Sequence, residues 1–159
     1  MNGRPARGVL FALLAVVLAA ALCSAFFFQL LLIHGDSMAP SYRSGSLVLL
    51  QKRPAALRRG DVVLCRSETL GRSLVKRIAA AEGDSLSVEG GELYINGRPA
   101  GRMPAEGERA ALPETVPPGC FLLLGDNRAE SVDSRDARLG LVTEKALRGR
   151  VCFPLRPGP

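Results

Sequence analysis

The 159-residue sequence predicts a mainly β protein, an antiparallel β-sheet domain preceded by one N-terminal transmembrane helix. Three observations predict it. An apolar run from Val9 to Ile33 is broken only by Ser24 and Gln29. Beyond it, apolar residues fall in short runs bounded by Gly, Pro or Asp, the pattern of strands between turns. Two dipeptides on either side of "ELYI", Gly90-Gly91 and Asn96-Gly97, are hairpin turn signals.

In chain order, residues 1–8 read as a cytoplasmic tail. Arg4, Arg7 and the amino terminus are positive and no acid precedes the span, so the positive-inside rule puts the rest of the chain outside the cytoplasm. Residues 9–33 read as the transmembrane helix. At about 1.5 Å per residue the run reaches about 37 Å, against about 30 Å of hydrocarbon. A cleaved secretory signal has an apolar region of about 7–15 residues, so this run is too long for one. A lipoprotein cysteine at Cys23 is excluded by the bulky Leu22 before it.

Residues 34–159 read as the extracytoplasmic domain. Its expected strands are 46–51, 61–66, 73–80, 85–88, 92–95, 120–124 and 150–155, with a helical turn or two in "TEKALRG", 143–149. The proline-rich stretch 98–118 reads as a long surface excursion or small cap. The net charge of +6 does not indicate nucleic acid: Lys and Arg are interspersed with Asp and Glu, and there is no Trp. Anionic lipid head groups account for the excess equally well. Cys65, Cys120 and Cys152 each lie in or beside an apolar run and read as buried thiols rather than a zinc site; a disulfide between two of them stays open.

Chemistry concentrates in three stretches. "HGDSMAPSYRSG", 34–45, centres on Ser37 among the turn-formers Gly35, Asp36 and Pro40, with Met38 beside it. On these residues alone the plainer reading is a capped turn. In "SLVKRIAA" strand alternation sets Lys76 between Leu74 and Ile78 on one face, while Arg77 points to the other. Such a lysine either snorkels to water or loses hydration. In the second case its pKa falls and it becomes a base for a serine, at a cost of about 1.4 kcal/mol per unit of depression. The only histidine, His34, is too close to Ser37 in sequence to serve as that base. The third stretch, "LLLGDNRAESVDSRDARLG", 122–140, carries Asp126, Asn127, Arg128, Ser131, Asp133, Ser134 and Arg135, a set that suits a polar network and matches no calcium-loop spacing.

Together these stretches closely resemble the bacterial type I signal peptidases. "GDSMAPS" is similar to that family's nucleophile segment, "RRGDVVLCR" and "SLVKRIAAAEGD" to its next two strands, and "GDNRAESVDSR" to its last motif, "GDNRxxSxDSR". The resemblance implies a membrane-anchored serine endopeptidase that removes signal peptides from exported preproteins after small residues at −1 and −3. It implies Ser37 as nucleophile, Lys76 as general base and Ser131 as the hydroxyl that orients the lysine amine. Gly35, Asp36, Met38 and Pro40 would belong to the oxyanion and substrate cleft, with the Ser37 N–H as one oxyanion donor. Asp133 and Arg135 would pair beneath the site, and Asp126, Asn127, Arg128 and Ser134 would support the same loop. It implies no metal and no cofactor. The partners would be preprotein signal peptides and the lipid bilayer, at the bacterial cytoplasmic membrane. Gly35 stands where some relatives carry a serine hydroxyl, and Ser41, Tyr42, Ser46 and Glu82 also depart from the usual pattern. Two other readings remain: a processor of a single pilin- or conjugation-type substrate with the same dyad, and an inactive membrane-anchored binding module of the same fold.

Overall fold

The structure is a computed structural model that describes residues 4–52 and 54–156; nothing is described of the side chains of residues 4–7, 22–24 and 156. The charge asymmetry read at Arg4, Arg7 and the amino terminus, and the Cys23 thiol, therefore lie outside the described residues.

Helix α1 (Arg4–Phe27) is followed at once by β1 (Phe28–Leu32). This corrects the expected helix of 9–33: its last residues are a strand. Apolarity alone does not separate the two, and what decides is a partner, because β1 pairs antiparallel with β2 (Leu47–Gln51) from Phe28↔Gln51 to Leu32↔Leu47. The segment Gly8–Phe27 is long and apolar enough to cross a membrane by length and composition.

The other strands are β3 (Val62–Ser67), β4 (Arg72–Ala81), β5 (Leu86–Glu89), β6 (Glu92–Ile95), β7 (Arg98–Arg102), β8 (Cys120–Leu124), β9 (Val142–Thr143) and β10 (Leu147–Arg156). They form a seven-stranded sheet ordered β1-β2-β10-β3-β4-β8-β9 and a three-stranded sheet β5-β6-β7. Every pairing in both is antiparallel. The mainly antiparallel β fold expected from the sequence is the one found.

Three expectations need correction. Only Glu144–Ala146 makes a 3-10 turn, and β10 begins at Leu147 because its backbone pairs with Cys65. The excursion 98–118 opens with β7, which the sequence conceals behind Pro99 and Gly101. The rest of it is pinned by bridges Ser85↔Thr115 and Arg109↔Asp136 and by buried Met103, Ala110 and Val116. The thiols are not uniformly buried: Cys65 is buried, Cys120 half-buried and Cys152 exposed, and all three are free.

The continuous apolar runs have a packing reason. In β3, Val62 and Leu64 face one core cluster with Ile33, Met38, Val48, Leu50 and Val151, while Val63 and Cys65 face another with Ile78, Leu123 and Val142. A strand covered on both sides has no polar face to alternate. In β8, Leu123 joins the second cluster, while Leu122 and Leu124 join a third with Leu86, Leu93 and Val116 beneath the small sheet. At Asn96 (φ 51) and Gly97 (φ 73) the β6–β7 hairpin takes successive positive φ angles, as a two-residue turn that matches strand twist requires.

Candidate active site

The chain leaves β1 at Leu32 and turns through Gly35 (φ +80) into a tight loop closed by Ala39 N–H to the Asp36 carbonyl and Tyr42 N–H to the Met38 carbonyl. Met38, 1% exposed, plugs the loop into the core and leaves Ser37 half-buried at its rim. Lys76 lies mid-strand in β4, directly across from Val63 of β3. Its side chain is 2% exposed, and its Nζ stands 2.6 Å from Ser37 Oγ. Two residues 39 apart in sequence thus meet because the loop after β1 folds over β4.

Burial drives the Lys76 pKa below its ordinary value. The Asp133 carboxylate acts against that shift, and Arg72 and Arg135 reinforce it. A buried amine with a lowered pKa, 2.6 Å from a hydroxyl, is equipped to take up a proton from that hydroxyl. The amine also bears on Cys65: burial pushes this thiol up to about 11, with the Lys76 charge pulling the other way.

Ser37 and Lys76 open into a cavity of about 390 Å³ between the end of β1 and the first half of β4. Gly35, Asp36 and Met38 line it as expected, together with Leu31, Ile33 and the cross-strand pair Leu64 and Val75. Pro40 does not: it is exposed, follows a cis peptide bond and lies outside the cavity wall. His34 is exposed at the mouth, with Nδ1 3.2 Å from the Leu32 carbonyl. Ser44 accepts the Gly35 N–H (3.2 Å), and its own N–H donates to Asp36 Oδ1 (3.3 Å), which ties the turn before Ser37 to the turn after it.

Beneath the site, the loop after β8 forms a connected frame. Asp133, fully buried, is held by Arg135 through both carboxylate oxygens at 2.9 Å and accepts the Gly125 N–H at 3.1 Å. Arg135 also donates to the carbonyls of Arg128 and Arg102, and Arg128 to those of Ala100 and Gly125, so both arginines lash the loop to itself and to β7. Ser134 exchanges two bonds with the Leu123 backbone. The Asn127 N–H donates to the Ser37 carbonyl at 3.1 Å, joining the frame to the loop that carries Ser37.

One pairing was not anticipated and one expected bond is not made. Asp126 pairs with Arg77 through bonds of 2.8 and 2.6 Å; because Arg77 points away from Lys76, it meets Asp126 on the opposite side of β4. Ser131 does not bond the Lys76 amine. Its Oγ is buried without a hydrogen-bond partner and packs against the Cα of Gly125, while the lysine makes its bond to Ser37.

Gly125 itself escaped the sequence reading. A Cβ there would collide with Ser131 Oγ and the Ser37 carbonyl, so the loop after β8 and the loop after β1 converge on a position only glycine can fill. The signal was its place between an apolar strand and a polar loop. The cavity-lining Leu64 and Val75 also escaped it, since nothing in a β-run says which buried face borders a cleft. Among the described residues, no group of three or more His, Cys, Asp and Glu is arranged to hold a metal ion.

This antiparallel β fold, with a serine hydroxyl against a buried amine, goes with the serine-peptidase class of hydrolases. Residues 6–156 match the family described as "Signal peptidase, peptidase S26", and the chain belongs to that family of signal-peptide-cleaving peptidases. It is 32% identical over 161 aligned residues to signal peptidase I T of Bacillus subtilis (strain 168), covering 92% of this chain and 83% of that protein. It is likewise 32% identical to signal peptidase I of Bacillus licheniformis, covering 92% of this chain and 86% of that protein. Among solved structures, signal peptidase I of Enterococcus faecalis V583 aligns with a TM-score of 0.47 at 24% identity, covering 63% of this chain and 100% of the other.

Proposed function

We propose that this chain is a membrane-anchored signal peptidase working through a Ser37–Lys76 dyad. The observation that carries the reading is the 2.6 Å approach of a 2% exposed lysine amine to a serine hydroxyl at the wall of an open cavity. Neutral Lys76 accepts the Ser37 proton as Oγ attacks the scissile carbonyl. The resulting ammonium then protonates the leaving amine, and a water deprotonated by the same lysine releases the acyl group. The Ser37 N–H supplies one oxyanion donor. Ser131, Asp133 and Arg135 hold the floor on which the dyad sits.

The substrate is a preprotein whose signal peptide binds extended in the cavity between β1 and β4, with small residues at −1 and −3. Main-chain pairing gives affinity, and the narrow apolar wall of Leu31, Ile33, Leu64 and Val75 limits side-chain size. Residues 9–27 anchor the chain in the bacterial cytoplasmic membrane with the amino terminus inside and residues 34–159 outside. The anchor confines enzyme and substrate to one surface and raises their effective concentration.

The test is preprotein cleavage in liposomes by the wild type, Ser37→Ala and Lys76→Ala, with sequencing of the product amino termini. Cleavage by the wild type alone, after small residues at −1 and −3 in several preproteins, is the expected result. Cleavage of one secreted partner only would move the reading to a specialised processor. Equal silence of all three proteins would move it to an inactive binding module of the same fold.

A further inference from the structure

The sheet has two ends, and its register assigns residues to each. Phe28 of β1 pairs with Gln51 of β2, Gln51 with Arg150 of β10, Arg150 with Val63 of β3, and Val63 with Lys76 of β4. On the α1 side of that row lie Lys52, Arg148, Lys145, Arg66 and Arg72. Lys52 follows Gln51, Arg148 and Lys145 flank Leu147 (which pairs with Cys65), and Arg66 and Arg72 close the β3–β4 hairpin through Ser67↔Arg72. Three inter-strand steps of about 4.8 Å, from β2 to β4, make this row of cations about 14 Å wide. Its first member touches the helix: Lys52 Nζ donates to the Ala25 carbonyl in the last turn of α1, at 2.9 Å.

Beyond Lys52, these cations are not held by ion pairs within the described residues. Arg66, Arg72, Lys145 and Arg148 are exposed, and none takes part in an ion pair among the described residues. Two acids, Glu68 and Glu144, share the rim against five bases. A cavity of about 320 Å³ opens there, with Arg66, Lys145 and Arg148 on its wall beside the hydroxyl-bearing Ser67, Thr69 and Thr143. Arg138, on the same wall, is already held by Asp136.

We propose that this basic rim docks on anionic lipid head groups at the surface from which α1 emerges, phosphates entering the cavity between Arg66, Lys145 and Arg148. The inference rests on the membrane-anchored reading above. Charge complementarity and position carry it: a row of unpaired cations starts at the end of the only described helix long enough to cross a bilayer. The row ends at Arg72, which also lines the mouth of the Ser37–Lys76 cavity. Docking therefore fixes the cavity's tilt relative to the bilayer, where an emerging signal peptide meets it.

The test uses the full chain reconstituted in vesicles of phosphatidylcholine alone or with phosphatidylglycerol, footprinted with phenylglyoxal and read by mass spectrometry. Each basic residue at an anionic surface is worth about a fivefold preference for the docked state. Arg66 and Arg148 should therefore be modified at least about tenfold more slowly in the anionic vesicles. Exposed Arg98 on the small sheet should be modified equally in both. Salt at about 1 M, where the Debye length is about 3 Å, should abolish the difference. The variant Arg66→Gln/Lys145→Gln/Arg148→Gln should cleave a preprotein in detergent as the wild type does, yet lose any dependence of its rate on phosphatidylglycerol. Equal modification of Arg66 and Arg148 in both lipids by a chain that stays with the vesicles through an alkaline wash would overturn the docking alone. Release of the chain from both kinds of vesicle by that wash would overturn the anchor, and the docking with it.

Discussion

The base role proposed for Lys76 requires a neutral amine, and burial favours that form. Its pKa lies below the ordinary lysine value because folding strips water from the amine, so kcat/KM should rise with pH along a limb below about 10.4 and then level off. A pH–rate profile in detergent checks this; a limb at the ordinary lysine value would remove Lys76 from the role. The stability sign follows from the same shift. Between the folded and unfolded pKa values the unfolded chain binds more protons, so stability rises with pH there and carries a constant penalty below. Lys76→Met should therefore abolish cleavage, a loss of at least about 100-fold, yet melt no lower than the wild type at neutral pH. Its advantage should shrink as pH climbs towards the unfolded value. Cys65 gives an independent reading of the same interior: buried and pushed up to about 11, it should resist iodoacetamide in the folded protein, while exposed Cys152 reacts. Peptide mapping distinguishes the two.

The element that backs Ser37 of the proposed dyad is the loop between β8 and β9. Its most constrained point is Gly125, so Gly125→Ala should lower both the melting temperature and cleavage, at a cost of about 1–3 kcal/mol for overpacking. Adding Ser131→Ala should recover only part of it, because the Ser37 carbonyl still blocks the methyl group. Asp126 joins this loop to β4. Desolvation pushes its carboxyl up, but the Arg77 and Ser41 hydrogen bonds and the Arg77 charge outweigh that and hold its pKa below the usual carboxylate range. The stability it contributes is present above the unfolded carboxylate pKa and is lost as pH falls through the depressed folded value. Asp126→Asn should cost about 2 kcal/mol at neutral pH and flatten the acid limb of a melting-temperature profile. The pairing of Asp133 with Arg135 was expected beforehand from the resemblance of this loop to the signal peptidases' last motif. The Asp126–Arg77 pair was not, because the two residues stand 49 positions apart and the stretch between them carries no trace of the β4–β8 register that brings them together.

At the scale of the molecule, the apolar helix runs into a sheet that also exposes apolar residues at that end. Phe28, Leu30 and Leu32 of β1 and Phe153 and Leu155 of β10, two strands in, are exposed. A chain lacking residues 1–27 should lose retention after an alkaline wash of membranes, yet still need detergent to stay monodisperse, which size-exclusion chromatography would show. Should that truncated chain behave as a detergent-free monomer, these exposed apolar residues would be covered by something other than lipid.

The sequence by itself determined the antiparallel β class and most strand positions, because these depend on period and turn chemistry, whereas the candidate dyad came with the resemblance to the signal peptidases. Lys76 between Leu74 and Ile78 was readable as a lysine on an apolar face, since alternation in a strand is a local property. Only the tertiary structure decided that Phe28–Leu32 is a strand, that Asp126 belongs to Arg77, that Ser131 Oγ packs on Gly125, and that Nζ stops 2.6 Å from Ser37 Oγ. Each of these depends on which distant segment arrives beside it. Strand register and loop closure set that choice over the whole chain, and no window of neighbouring residues contains it.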